Sequence, residues 1–495
     1  MSNRTNKLNV FMFIKAFFFL ITLFSGFFLV GCGGGGSSGN VSNTTNAQTP
    51  NIIFQPVSAT YIQGNTVNPL SVTTTVSDGG VLSYQWYKNS INSNNGGIPI
   101  SGATNSSFTP PTSDIGTTYY YIVITNTNDG VNGVKTANAS SDTARIAIGY
   151  LVSFYDENLD HVVTVNAANG SVDLSSISNT PNPWYEANSS LPLRADYTLT
   201  NDMRFYAVPN VQEISNQTHL DSARNNLSGK YILLNSIDLN ETGAGFGSEG
   251  WIPIGDYSNK FTGIFNGDFN NITNFWINTT TGYIGFFTYV ENATIRNLEI
   301  RTAEGKEIRG LNFIGGIAGY ARLSNITNAC FAGNVNGNKY VSGIAGYADY
   351  GNVTDSYSAG NISGGNSVGG IAGSAWNTAI RNNAAINPSI TGEMNVNRVF
   401  GSFRNSIFVS NNFALNTMVG GVKYDGMTNS FSNSSDVRYH GIDKTQIELK
   451  TRSTYENDEA SGGLGFKFGD DDDNPWKIDP NKNNGYPYLY WQDMR

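Results

Sequence analysis

Histidine and cysteine are nearly absent from this 495-residue chain: His161, His219 and His440 are the three histidines, Cys32 and Cys330 the two cysteines. No two histidines are spaced to meet through a local motif, so imidazole-based metal or acid–base chemistry has little material, and two cysteines make no disulfide framework. Charge is scarce as well. Asp, Glu, Lys and Arg supply 14% of residues, against about 25% in an average soluble domain. The net charge of −9, with no Lys/Arg cluster beyond the N-terminal segment, removes the electrostatic footprint that nucleic-acid binding requires. His-Glu-x-x-His, Gly-x-Ser-x-Gly and the phosphate-binding Gly-x-x-x-x-Gly-Lys-Ser/Thr loop are all missing, so a zinc peptidase, a hydrolase elbow and a P-loop lack their signatures. A chain without catalytic residues, cofactor or metal site is expected.

What is abundant is glycine (55), phenylalanine (28) and tyrosine (26), a profile that favours turn-rich β structure; the length suggests several folded units. At the N-terminus Arg4 and Lys7 precede an apolar stretch, Val10 to Val30, that ends in Leu29-Val30-Gly31-Cys32. Such a stretch is long enough to span a bilayer as an uncleaved helix. The pattern before Cys32, followed by Gly33 to Gly36, resembles a bacterial lipoprotein signal peptide. That resemblance implies cleavage after residue 31, a diacylglycerol on the Cys32 thiol, and a membrane partner reached through lipid, which two or three acyl chains suffice to hold. No acidic residue directly follows Cys32, which is compatible with sorting to the outer membrane and display at the cell surface. Residues 32–50, rich in Gly, Ser, Asn and Thr, read as a flexible tether.

Three folded regions follow, all β. Residues 51–149 contain short β-branched and aromatic runs between Gly/Asn/Pro/Ser turns. Ser83 to Lys88 alternates as one strand, and Asp114 to Ile124 reads as a turn feeding a second. The pair resembles bacterial immunoglobulin-like sandwiches, with Trp86 as core tryptophan and Tyr119 or Tyr120 near the tyrosine corner. In residues 150–210, Val152 to Asp156 opens and Tyr197 to Ala207 closes a segment similar to the Listeria-Bacteroides repeat, a small β-grasp module.

Residues 211–495 carry an internal repeat. Gly316-Ile317-Ala318-Gly319 recurs as Gly343-Ile344-Ala345-Gly346 and Gly370-Ile371-Ala372-Gly373, a period of 27 residues. Asn325-Ile326-Thr327 stays in register with Asn352-Val353-Thr354 and Ala379-Ile380-Arg381. About three short strands per period, each unable to bury a face alone, predict a solenoid stacked on copies of itself. On this reading Ile317, Ile344 and Ile371 form an interior ladder, the flanking glycines make sharp corners, and Cys330 shares a buried rung position with Tyr357 and Ala384. A helical stretch near Thr218 to Leu227 would cap the open end. The repeats, with Trp476-Lys477-Ile478-Asp479 and Gly485-Tyr486-Pro487-Tyr488-Leu489 as a C-terminal signature, resemble the GLUG-motif family of surface proteins. That resemblance implies a right-handed parallel β-helix and an adhesin-like module that contacts an extracellular protein or glycan.

Two other readings stand beside the adhesin. β-Helices can carry clustered carboxylates that cleave polysaccharides, but Asp349, Asp355 and Glu393 do not recur on one face. The acidic run Asp470 to Asp473 could hold a hard cation, although a solvated loop is the simpler reading. A purely structural envelope component would show the same sequence. Trp276 and Tyr289, aromatics that could stack on sugars, show no recurrence, and packing is expected of both.

Overall fold

The computed structural model describes residues 44–168, 183–193, 197, 199, 201–404, 408–424, 427–428, 442–456, 468–471, 474–478 and 488–489. Cys32 and the segment before it lie outside the described residues. Half of the chain is strand and 5% is helix.

The first region is a sandwich. Strand Val81–Asn89 pairs antiparallel with Gly116–Thr127, which also pairs with Thr136–Ser140 and Ala144–Tyr155. Alternation puts Trp86, Ile122, Ile124 and Ile146 into one core together with Leu70 and Val72, and the indole N–H of Trp86 donates to Asn105 O at 3.0 Å. Tyr120, rather than Tyr119, is the buried member of the tyrosine pair. Strand Ala144–Tyr155 runs unbroken past residue 150. Its first half pairs with the sandwich, and its second half pairs antiparallel with His161–Ala168 and parallel with Met203–Tyr206 around a small core of Val152, Phe154, Trp184 and Phe205. The strand expected from Tyr197 to Ala207 is confined to Met203–Tyr206. Asn201 and Asp202 bend instead, because the Asp202 carboxylate turns back to accept from Leu151 N–H at 2.6 Å.

From Val211 the chain winds into a parallel β-solenoid of about six turns. Each regular turn holds five short strands rather than three, for example Lys339–Ser342, Ala345–Asp349, Asn352–Thr354, Tyr357–Ala359 and Ile362–Ser363. The expected ladder is present: Ile317, Ile344 and Ile371 are fully buried. Cys330 pairs in register between Glu299 and Tyr357, and Tyr357 with Ala384; burial raises the Cys330 thiol well above its ordinary pKa. Both ends of the core are closed. Helix Gln217–Ser222, N-capped by Asn216, puts Leu220 into one end, and Leu449 and Tyr455, from the turn Glu448–Lys450 and helix Arg452–Glu456, enter the other. Terminal capping of this kind is what a stacked core exposed at its ends requires.

The corners are not made by the repeat glycines. Gly316, Gly343 and Gly346 all have negative φ. A Cβ on Gly343 would collide with the Ser358 hydroxyl, and one on Gly346 would lie 2.5 Å from Ile314 N and 2.6 Å from Gly319 O. These glycines are needed because backbone passes backbone at van der Waals distance. The turning is done by non-glycine residues with left-handed φ, stacked in columns: Asn292, Leu323, Tyr350 and Asn377, then Asn297, Asn328, Asp355, Asn382 and Asn411. Asn and Asp tolerate this region because their short side chains bond locally, and here Asn328 Nδ2 donates to Asn297 Oδ1 and Asn382 Nδ2 to Asp355 Oδ1, each at 3.1 Å.

Candidate binding face

One flank of the solenoid is built from two small parallel sheets. The first stacks Phe287–Glu291, Ala318–Arg322, Ala345–Asp349, Ala372–Trp376 and Phe400–Arg404, and its register aligns Tyr289, Tyr320, Tyr347, Ser374 and Ser402. The alanines on either side of Tyr320 and Tyr347 point into the core, so strand alternation sends the tyrosines outward. The second sheet stacks Asn312–Ile314, Lys339–Ser342, Asn366–Gly369 and Met394–Val396. Within it Phe313, Tyr340, Ser367 and Asn395 have φ of 59°, 60°, 60° and 52°, and Tyr283, a rung earlier, has 62°. A left-handed backbone under an aromatic side chain costs roughly 1–3 kcal/mol per residue.

The two columns merge into one aromatic surface. Tyr283 stacks on Phe313 with centroids 4.5 Å apart and Tyr320 on Tyr347 at 5.0 Å, both close to parallel. Tyr289 lies 4.6 Å from Tyr320, Phe313 4.8 Å from Tyr340, and Tyr340 meets Tyr347 edge-on at 5.2 Å. Tyr257, 63% exposed, extends the patch by contacting Tyr283 and Tyr289. Lys260 sits 5.0 Å above the Tyr289 ring and Lys339 4.9 Å above Tyr340.

Charge along the margin is tied down. Arg322 Nη1 meets Glu291 at 2.9 Å, and its Nε lies 3.5 Å from Asp349. Burial alone would push the Glu291 carboxyl up, but Lys260 and Arg322 outweigh it and hold its pKa below the ordinary value. Asp349 is raised by burial, against the opposing pull of the Tyr320 hydroxyl, which donates to its Oδ2 at 3.2 Å, and of Arg322. Its other oxygen is buried and accepts no hydrogen bond among the described residues. The Tyr283, Tyr289 and Tyr320 hydroxyls are all raised, burial being the main cause, so this face stays neutral phenol across physiological pH.

Tyr289 therefore does recur, contrary to expectation, as Tyr320 and Tyr347. The signal lay beside the repeat itself: an aromatic stands three residues before Gly316 and Gly343 and four residues after each. Trp276 belongs elsewhere, its indole N–H donating to Glu241 at 2.7 Å under the Lys306 ammonium. Asp349 and Asp355 fall on different sheets. Asp472 and Asp473 lie outside the described residues, while Asp470 and Asp471 are in strand Phe468–Asp471.

No family model matches this chain. Over 91 residues it is 44% identical to an Evansella cellulosilytica protein provisionally described as a Gly-rich membrane protein, covering 18% of this chain and 10% of that one; the chain thus spans about a tenth of that relative's length. Among solved structures, a Bacteroides ovatus protein provisionally described as an immunoglobulin A1 protease aligns with a TM-score of 0.40 at 21% identity, over 56% of this chain and 92% of its own.

Proposed function

We propose that this chain is a bacterial surface protein of the adhesin type, anchored by lipid on Cys32 in the outer membrane, whose solenoid offers its tyrosine-rich flank to an extracellular protein. The observation that carries this reading is the aromatic double column: six aromatic rings from Tyr283 to Tyr347 in mutual contact on one face, three of them held at a backbone conformation that disfavours them. Tyrosine gives rigid, amphipathic contact area at low entropic cost and is enriched among residues that dominate binding energy. The stacked pairs spend their ring faces on one another, which suits a protein surface better than a sugar needing an open face. A binding role rather than a catalytic one also fits the margin, where both carboxylates are committed to Arg322. The Gly-rich membrane protein among its relatives agrees with residence at a membrane.

The test is a binding screen of the full chain against immobilised extracellular-matrix proteins. Saturable binding is expected, with the double variant Tyr320→Ala/Tyr347→Ala losing at least about 2 kcal/mol, roughly thirtyfold. Binding that survives the double variant would remove the face from the reading. Cleavage of a bound protein or polysaccharide would remove the non-catalytic role.

A further inference from the structure

A second long surface lies on the 14-stranded sheet, and its chemistry is the opposite of the aromatic flank. Two rows run across it along the solenoid axis. Thr294, Asn325 and Asn352 align in one, and Arg296, Thr327, Thr354 and Arg381 in the other, two residues further along each strand. Together they floor a groove of about 320 Å³, with Asn158, from the turn between Ala144–Tyr155 and His161–Ala168, at its wall. Every lining side chain is polar, and none is a carboxylate, in a chain of net charge −9.

The rows present hydrogen-bonding groups at each rung. Asn352 Nδ2 donates to Asn325 Oδ1 at 2.6 Å, and the Thr327 and Thr354 hydroxyls lie 3.2 Å apart. The guanidiniums close the row at either end, three rungs or ~14 Å apart at the usual strand spacing. Arg296 is held in place by Asp160 at 2.7 Å, and its Nε is buried without a hydrogen-bond partner among the described residues. Arg381 is exposed, and the carboxylate beside it, Asp355, is engaged by Asn382.

This arrangement selects among ligands. The strands beneath are paired on both sides, so no edge is open to a peptide strand, and the groove has no apolar pocket for a side-chain anchor. A phosphate polymer would meet a strongly acidic molecule. What fits is a hydroxyl-rich chain with widely spaced negative charges. We infer that this groove binds an acidic polysaccharide lying along the solenoid axis, its carboxylates or sulfates paired with Arg296 and Arg381 and its hydroxyls with the Asn and Thr rows. The site is independent of the aromatic flank and stands or falls without it.

Calorimetric titration of the full chain with a galacturonate hexamer, a heparin-derived hexasaccharide and neutral xylohexaose tests the assignment. Saturable binding of at least one anionic oligomer, and none of xylohexaose, is expected; whichever anion binds distinguishes carboxylate from sulfate. The surface change Arg381→Gln should weaken it about tenfold, the value of one charge-assisted contact, Asn352→Ala should weaken it less, and Tyr347→Ala should leave it unchanged. Failure of both anionic oligomers to bind, equal binding of xylohexaose, or affinity indifferent to both groove variants would overturn the site.

Discussion

The two halves of the tyrosine flank share a backbone and differ in what they display. In the earlier rungs the columns read Tyr283, Phe313, Tyr340 and Tyr289, Tyr320, Tyr347; in the later rungs the same register positions are Ser367, Asn395 and Ser374, Ser402. Ser367 and Asn395 keep the left-handed φ of the aromatics they follow, and the serines bond one another, Ser402 Oγ to Ser367 Oγ and to Ser374 Oγ at 3.0 Å each. The solenoid thus turns this corner equally well with small polar residues. Aromatics there are not a folding requirement, which is why the strain of Tyr283, Phe313 and Tyr340 points to binding.

If the halves differ only in display, a lesion in the shared backbone should hurt most. Gly346 lies where the aromatic half meets the later rungs, and a Cβ there would press on three backbone atoms of neighbouring turns, within 2.6 Å of each. No flexible side chain can yield. Gly346→Ala is expected to destabilise by about 3 kcal/mol, the upper range for overpacking, measured as the shift in chemical denaturation of the solenoid.

Next in size is converting one half into the other. Tyr347→Ser copies the Ser374 position and removes contacts to Tyr320, Tyr340 and Phe313. It should cost about 1–2 kcal/mol of stability through lost aromatic pairing and area, yet leave the circular dichroism of the solenoid intact. Protein binding should fall further than stability does. A variant that unfolds would mean the aromatics hold the corner after all.

How much of this was readable in advance follows from the same residues. The tetrads at 316, 343 and 370 are identical in spacing, so the solenoid and its isoleucine ladder were legible. Earlier rungs were not separable, because their spacing drifts: Asn271 pairs back to Ser236 across 35 residues and Asn328 to Asn297 across 31. The glycines were misassigned to corners because sequence shows that a Cβ is forbidden but not whether φ or a neighbouring chain forbids it. The aromatic columns were missed because propensity argues against Tyr or Phe at positive φ, and only stacking on the next rung overrides it. The arginine groove could not be foreseen, since Arg296 and Arg381 are 85 positions apart in number and meet one ligand only through the register of three turns.

A cleaner probe of strain alone is Leu323. It sits at φ 51° in a corner column whose other members include Asn292 and Asn377, and it is 45% exposed, so little packing opposes its replacement. Leu323→Asn should stabilise by about 1 kcal/mol, the penalty of a left-handed backbone relieved, with no change in ligand affinity. The same substitution at Tyr340 should weaken binding. That pair of outcomes would separate strain retained for contact from strain merely tolerated.

The smallest effect lies in pH. Only the aromatic half has a buried carboxylate in its margin: Asp349 is followed in register by Trp376 and Arg404. Burial raises the Asp349 pKa above 3.8, so the folded state holds that proton more tightly than the unfolded chain does. The associated stabilisation is fully present below 3.8 and is lost as pH rises through the raised folded value. Between acid and neutral pH this residue therefore makes the aromatic half slightly less stable, against the general loss of stability that acid brings elsewhere. Asp349→Asn should remove that slope from the difference between the two denaturation curves while keeping the contact with the Tyr320 hydroxyl. If the slope persists, Asp355, also raised by burial, is its source, and the asymmetry between the halves is one of shape alone.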